Sequence, residues 1–168
     1  NHLVVDPVMV AKGGARLLES DAEEALMGSL LPLTEIVTPN IPEAEVLCGF
    51  AVDSVRLMRE AARAIFKLGP SSVLIKGGHL DSAPTDVLYD GQDFHEMHFD
   101  RINTPNTHGT GCTYSAAIAT FLGFGMTVPE AVRKAGEQLQ KAIKTALPLG
   151  SGHGPLNHRA MYRDITTP

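Results

Sequence analysis

The sequence predicts an α/β protein with a mostly parallel central sheet and helices on both of its faces. Three short apolar runs, HLVVD at 2–6, EIVT at 35–38 and SVLIK at 72–76, have the composition of buried parallel strands. Segments whose apolar residues recur at helical spacing follow the first two runs. Strands that alternate with helices along a chain are typical of a parallel sheet that helices cover on both sides.

The helices between these strands have recognisable ends. Asp21 is predicted to N-cap a helix over AEEALMGSLLPL, which stops near Pro32. Pro42 begins a short helix that ends at Gly49, and Ser54 caps a longer helix, VRLMREAARAIFKLG. Each helical segment therefore has a start or stop signal of its own.

The second half of the chain has a different pattern. The segment DVLYDGQDFHEMHF predicts a β-hairpin that turns at Asp90 and Gly91. A polar loop over 103–111 leads into a helix that begins near Cys112, and a long amphipathic helix is predicted over 128–147. The glycine- and proline-rich segment GSGHGPLNH is predicted to be irregular.

Composition limits the possible functions. The 168 residues are enough for one domain with a substantial core. A net charge of −5 without a basic cluster argues against nucleic-acid binding, and no apolar run approaches the ~20 residues of a membrane helix. The two cysteines, Cys48 and Cys112, cannot form a disulfide framework, which favours a reducing, cytoplasmic setting.

Polar residues end the three predicted strands: Asp6, Thr38 with Asn40, and Lys76. Because ligands of open α/β sheets bind beyond the carboxyl ends of the strands, we expect these side chains to converge. Asp6 is a candidate for holding a metal-bound water, or it caps a turn. Lys76 stands beside two glycines, where it is able to reach a transferred phosphate, or it is an ordinary surface lysine.

Asn40 and Glu43 stand one helical turn apart where a strand end enters a helix. An amide and a carboxylate in this arrangement suit a hydrated Mg²⁺ and the phosphates it carries. The alternative is a helix N-terminus with a favourable acidic residue. His79 follows the glycines after Lys76 and is interpreted as a hydrogen-bonded loop residue.

The segment NTHGTGCT, residues 106–113, joins a glycine-containing loop to a helix. Gly109 and Gly111 allow backbone N–H groups to turn toward the point that the positive helix end also faces. This predicts an anion site for a phosphate or a developing oxyanion, although G-x-G before a helix is more often a plain turn. Helix N-termini favour thiolates, so Cys112 is a candidate base or nucleophile. The alternative is a small buried apolar residue, which is the role assigned to Cys48.

The motifs DPVMVAKGG, VTPNIPEAEVLCG, VLIKGGH, NTHGTGCTYSAAIA and GHGPLNH, in this order, resemble the hydroxymethylpyrimidine/phosphomethylpyrimidine kinases of thiamine biosynthesis. These enzymes belong to the ribokinase-like superfamily, most of which carries aspartate where Cys112 stands. The resemblance implies a three-layer ribokinase-like fold and a single kinase domain over 1–168. Family members begin with a further strand–helix half. The chain is therefore expected to be the C-terminal two-thirds of the domain, without an N-terminal portion that completes the fold.

The resemblance also implies an activity. Such kinases phosphorylate 4-amino-5-hydroxymethyl-2-methylpyrimidine and then its monophosphate with ATP and Mg²⁺, commonly as homodimers. Cys112 would be the base at the substrate hydroxymethyl group, beside a γ-phosphate site made by Gly109, Thr110 and Gly111. The remaining implied roles are Mg²⁺ and its waters for Asp6 and Glu43, ATP for Lys76, Asn40 and Thr107, and the pyrimidine pocket for Val8.

Three other functions stay open. A pyridoxal kinase of the same thiol-bearing type would use Cys112 to add reversibly to the substrate aldehyde. A nucleotide- or pyrimidine-binding module would bind without catalysis. A thiol hydrolase would pair Cys112 with His108, but a residue four positions back across two glycines need not point at the thiol.

Overall fold

The computed structural model describes residues 2–9, 17–78 and 84–162. The chain divides into two compact units, Asn1–His98 and Phe99–Pro168. The single domain predicted over 1–168 stays a prediction. Among the described residues, none of the helices is both long and apolar enough to cross a membrane.

The first unit contains a five-stranded mixed sheet whose spatial order follows the chain order. Its strands are β1 (Val4–Val5), β2 (Ile36–Val37), β3 (Val73–Ile75), β4 (Thr85–Tyr89) and β5 (Phe94–His98). The first three strands run parallel, with Val4 opposite Ile36 and Val37 opposite Val73. The last two extend the sheet antiparallel. The α/β class, the three buried strands and the hairpin are therefore confirmed.

The first helical segment is less regular than predicted. Helix α1 (Ser20–Ala25) continues as a π-helical turn over Leu26–Leu30 and a 3₁₀ turn over Leu31–Leu33. Pro32 cannot donate to an α-helical ladder, which explains why the regular helix does not continue through it. The Asp21 cap is wrong, because Ser20 is already helical and Glu19 stands at the N-cap.

The next two helices begin and end as their sequences predict. They are α2 (Ile41–Cys48) and α3 (Val55–Phe66). Gly49 ends α2 at a φ of 81°, in the left-handed region that favours glycine. The Ser54 hydroxyl accepts the Leu57 N–H at 3.4 Å and caps α3. Helix α3 packs against α2, β3 and β4. Its buried residues are Met58, Ala61, Ala62 and Ile65.

The second unit is helical. Its helices are α4 (Thr110–Gly123), α5 (Val128–Lys144) and the short α6 (Arg159–Tyr162). Helices α4 and α5 pack together, and α5 ends three residues before the predicted Leu147. Gly136 permits a close approach, since a Cβ there would lie 2.3 Å from the Phe99 ring. Residues 150–158 are largely irregular, as predicted.

The chain passes unusually close to β4 as it leaves β3. A Cβ at Gly77 would lie 1.9 Å from the carbonyl oxygen of Thr85. The Gly77 N–H donates to the Asp86 carboxylate at 2.8 Å, and Asp86 is buried. Strand β4 therefore fixes the course of the backbone directly after Lys76.

Replacing Gly77 by alanine is expected to lower the free energy of unfolding by about 1–3 kcal/mol, because the methyl group has no room unless the β4 backbone moves. Gly78→Ala is the matched control, since no described atom lies within 4 Å of its ideal Cβ. That variant should change stability by less than about 0.5 kcal/mol. Equal effects of the two substitutions in chemical denaturation would contradict the close approach at Gly77.

Candidate functional site

Polar side chains meet at the carboxyl ends of the parallel strands. The Lys76 ammonium donates to the Asp6 carboxylate at 2.7 Å, and both side chains are largely buried. The Thr38 hydroxyl lies 3.4 Å from the same carboxylate oxygen. Asn40 pairs with Lys76 through an isolated parallel bridge. We call Asp6, Thr38, Asn40, Glu43 and Lys76 the strand-end cluster, and the expected convergence of these strand ends is confirmed.

Backbone pairing beyond the strand ends explains this convergence. The Thr38 N–H donates to the Val5 carbonyl at 2.9 Å, and the Lys76 N–H donates to the Pro39 carbonyl at 2.9 Å. Parallel registers therefore continue past the regular strands. Because the strands point the same way, the next polar residue of each strand arrives at the same edge.

Glu43 and Asn40 form a capping box at the start of α2. The Asn40 N–H donates to the Glu43 carboxylate at 2.8 Å, and the Glu43 N–H donates to the Asn40 side-chain oxygen at 2.9 Å. This pair satisfies two N–H groups that the helix cannot bond internally. Glu43 therefore stabilises the helix N-terminus, as the alternative interpretation predicts, and its role at Mg²⁺ stays a prediction.

The same carboxyl has a perturbed acidity. Burial raises the pKa of Glu43, and the charge of Asp6 acts in the same direction, whereas the Asn40 N–H and the Lys76 charge oppose the shift. Glu43 is only 3% exposed, so desolvation of the carboxylate is the dominant cause. A buried carboxyl near a second acid and a lysine is typical of functional sites as well as of ion-pair networks.

The charges of the cluster suit a hydrated cation better than a closed metal cage. The Lys76 ammonium pairs with the Asp6 carboxylate, and its charge also acts on the Glu43 carboxyl. Within the described ranges, no group of three or more His, Cys, Asp or Glu residues is arranged to hold a metal. Mg²⁺ typically uses one or two carboxylates and completes its shell with waters and substrate phosphates. The residues present fit that mode of binding.

The second unit supplies a turn followed by a helix start. Gly109 stands at the N-cap of α4 with a φ of 81°, and the described structure has no side-chain cap there. In the first intrahelical hydrogen bond, the Thr113 N–H donates to the Gly109 carbonyl at 2.9 Å. The N–H groups of residues 110–112 precede that bond and belong to the positive end of the helix. We call residues 106–112 the glycine loop.

The two glycines of the glycine loop have different roles. Only Gly109 has the left-handed backbone that favours glycine, because Gly111 lies inside α4. Gly111 belongs to the first turn of α4, and its N–H stays a candidate donor at the predicted anion site. The Thr110 hydroxyl donates to the Thr107 carbonyl at 3.2 Å and links the two sides of the turn.

The two cysteines differ as expected. Cys112 lies in the first turn of α4 and is exposed, so the buried alternative is wrong for this residue. Cys48 is half-buried, and its thiol donates to the Phe50 carbonyl at 3.4 Å. Burial raises the pKa of Cys48, which disfavours the reactive thiolate.

Two further residues, Val8 and His79, have roles predicted from the sequence. Val8 is 43% exposed beside the Asp6 backbone, and its place in a pyrimidine pocket stays a prediction. His79 lies outside the described residues. The strand-end cluster belongs to the first unit, and the glycine loop belongs to the second.

Asp86 has a structural role that was not predicted from the sequence. This carboxylate is 6% exposed and holds the Gly77 N–H next to Lys76. The sequence feature that could have indicated this contact is the presence of an acidic residue inside the otherwise strand-like run TDVLY. A buried acid needs hydrogen-bond donors, so its presence in such a strand indicates a specific structural contact.

A family model described as phosphomethylpyrimidine kinase matches residues 1–157. The chain belongs to the phosphomethylpyrimidine kinase family. The resemblance stated from the motifs is therefore confirmed.

Two relatives of the family illustrate the match. A thiamine biosynthesis bifunctional protein from Geobacter sulfurreducens is 50% identical over 164 residues, which are 97% of this chain and 34% of that protein. A hydroxymethylpyrimidine/phosphomethylpyrimidine kinase from Bacillus subtilis is 42% identical over 166 residues, 98% of this chain and 61% of the kinase. The chain thus spans between a third and two thirds of the length of these relatives.

A solved structure supports the same fold. The pyridoxal kinase from Staphylococcus aureus in complex with AMP-PCP and pyridoxal matches with a TM-score of 0.88 and 37% sequence identity. The match covers 97% of this chain and 59% of that kinase. This likeness accords with the predicted ribokinase-like α/β fold.

Replacing Glu43 by glutamine is expected to change how stability depends on pH. Because the folded pKa is raised, the wild-type protein loses stability as pH rises from the ordinary glutamate value of about 4.3 to the raised folded value. The variant lacks this loss and keeps a side-chain acceptor for the Asn40 N–H. Its stability relative to wild type should therefore increase across that window in urea denaturation. A relative stability that decreases with pH would contradict the raised pKa.

Proposed function

We propose that the chain carries the nucleotide-binding and catalytic part of a hydroxymethylpyrimidine/phosphomethylpyrimidine kinase. The reaction transfers the γ-phosphoryl group of ATP to 4-amino-5-hydroxymethyl-2-methylpyrimidine and then to its monophosphate. The observation that carries this proposal is the strand-end cluster, in which Lys76 pairs with Asp6 at the carboxyl ends of parallel strands and both charges act on the buried carboxyl of Glu43. The family membership and the B. subtilis kinase at 42% identity support the reaction and its substrates.

The strand-end cluster would bind Mg-ATP. Lys76 would contact the phosphates as a point charge, and Asp6 and Glu43 would hold Mg²⁺ through its waters. When bound, Mg²⁺ would neutralise the charge that develops on the phosphate oxygens. Asn40 and Thr107 would complete the nucleotide contacts. The AMP-PCP complex of the S. aureus kinase supports an ATP-type cosubstrate.

The glycine loop would stabilise the group in transfer. Backbone N–H groups of Gly109, Thr110 and Gly111 would face the γ-phosphate at the positive end of α4. Cys112, exposed in that first turn, would accept the proton of the substrate hydroxymethyl group as its oxygen attacks phosphorus. Val8 would line the pyrimidine pocket. The homodimer and the cytoplasmic setting expected from the sequence stay predictions.

Pyridoxal phosphorylation is the second candidate. The S. aureus pyridoxal kinase contains pyridoxal in its structure and is 37% identical to this chain. The pyrimidine kinase is favoured, because the relatives at 50% and 42% identity are named for thiamine biosynthesis and for pyrimidine phosphorylation.

The test is release of ADP from Mg-ATP by the protein in its full length. Hydroxymethylpyrimidine, its monophosphate and pyridoxal are offered in parallel. Turnover on both pyrimidines supports the proposal, and turnover on pyridoxal alone supports the second candidate. Nucleotide binding without turnover on any of the three compounds would contradict both kinase functions and support a binding module without catalysis.

Replacing Cys112 by alanine is expected to lower kcat by about 10²–10⁴-fold, the usual contribution of a positioned general base. The affinity for ATP, measured by titration calorimetry, should stay near that of wild type. Cys48→Ala is the matched control, because this half-buried thiol lies at the end of α2. The kcat of that variant should equal that of wild type. Wild-type turnover in the Cys112 variant would rule out its role as the base.

A further inference from the structure

The segment 153–158, which we call the C-terminal clamp, contacts the glycine loop within the second unit. The Gly154 carbonyl accepts the His108 N–H at 3.2 Å, and Pro155 pairs with His108 as an isolated parallel bridge. The His153 ring nitrogen Nδ1 lies 3.3 Å from the Pro105 carbonyl oxygen. The loop that leads to Gly109 is therefore supported along its backbone.

Gly154 has a close packing contact with the same loop. A Cβ at this position would lie 2.1 Å from Oδ1 of Asn106 and 2.9 Å from its Cγ. Asn106 is 5% exposed, so its amide has little space into which it can move. An alanine at position 154 would therefore have to displace the Asn106 amide.

The clamp also reaches the other side of the Gly109 turn. Nε2 of His158 lies 2.9 Å from the Thr113 hydroxyl. Thr113 belongs to the first turn of α4, and its N–H makes the first intrahelical bond, to the Gly109 carbonyl. One short segment thus holds the chain both before and after the turn.

The clamp is itself fixed to α5. The Asn157 N–H donates to the Ala142 carbonyl at 3.1 Å, and its side-chain amide donates to the carbonyl and the hydroxyl of Thr145 at 3.2 and 3.1 Å. Leu156, which precedes Asn157 in the chain, is buried. A segment anchored in this way is able to impose a position on the loop that it touches.

We propose that the C-terminal clamp sets the position of the Gly109 turn, and that Gly154 and His158 are positioning residues for the phosphate site. This inference rests on the proposed function, which assigns a transferring phosphate to that turn. The turn has no side-chain cap among the described residues, and the clamp contacts the chain on both sides of it. Electrostatic stabilisation of a transition state needs donors held within about 0.5 Å of their productive geometry.

The experiment compares Gly154→Ala with Gly152→Ala in the full-length kinase. No described atom lies within 4 Å of an ideal Cβ at Gly152, which makes it the matched control. Gly154→Ala should lower kcat by about 10–100-fold, because a shift of about 1 Å in the N–H groups of the Gly109 turn has an effect of that size. The KM for the pyrimidine should change less than about threefold. Gly152→Ala should match wild type in both constants.

A second set of variants keeps the proposal testable if Gly154→Ala fails to fold. His158 is exposed, so His158→Ala, Thr113→Val and the double variant should all fold. Each single variant should lower kcat several-fold, the double variant should be no worse than the singles, and His158→Gln should recover part of the loss.

The outcomes separate the clamp from the function on which it depends. Wild-type kcat in both Gly154→Ala and His158→Ala, with an active parent enzyme, would overturn the clamp alone. An equal loss of kcat in the Gly152 control would also overturn it. A parent enzyme that phosphorylates none of the acceptors would reject the proposed function, and the clamp proposal would fall with it.

Discussion

Parallel pairing of β1, β2 and β3 brings the polar ends of these strands to one edge of the sheet. The pairing joins residues that are distant in sequence, as the contact between Asp6 and Lys76 shows. Taking both charges largely out of water costs free energy, and the 2.7 Å contact offsets that cost only while both partners are present. The lysine and the carboxylate at this edge of the sheet are therefore mutually dependent.

The rest of the first unit maintains this arrangement. The capping box of Asn40 and Glu43 begins α2 directly after the second strand, and β4 holds the backbone after Lys76 through Asp86. The carboxyl of Glu43 is held in a buried position although burial raises its pKa. Sites that retain such unfavourable groups typically sacrifice stability for function.

Much of this architecture could be predicted from the sequence, because its signals are local. Buried strands, the hairpin at Gly91 and the Ser54 cap each depend on a few adjacent residues, and all of them are present. The contacts of Asp86 with Gly77, and of Gly154 with Asn106, join separate segments and have no local signature. Of the two loop glycines, Gly109 has the left-handed backbone, whereas Gly111 already lies in the helix, which begins one residue before it.

The most direct test of the strand-end cluster is the affinity for Mg-AMP-PCP of the Lys76→Met protein, measured by titration calorimetry. Loss of a charge-assisted contact worth about 1.5–3 kcal/mol should weaken binding by about 10–150-fold. Lys67→Met is the control, because Lys67 is an exposed lysine at the end of α3. The affinity of the Lys67→Met protein for Mg-AMP-PCP should equal that of wild type. Equal affinities for the two variants, with both proteins folded, would contradict the assignment of this cluster to nucleotide binding.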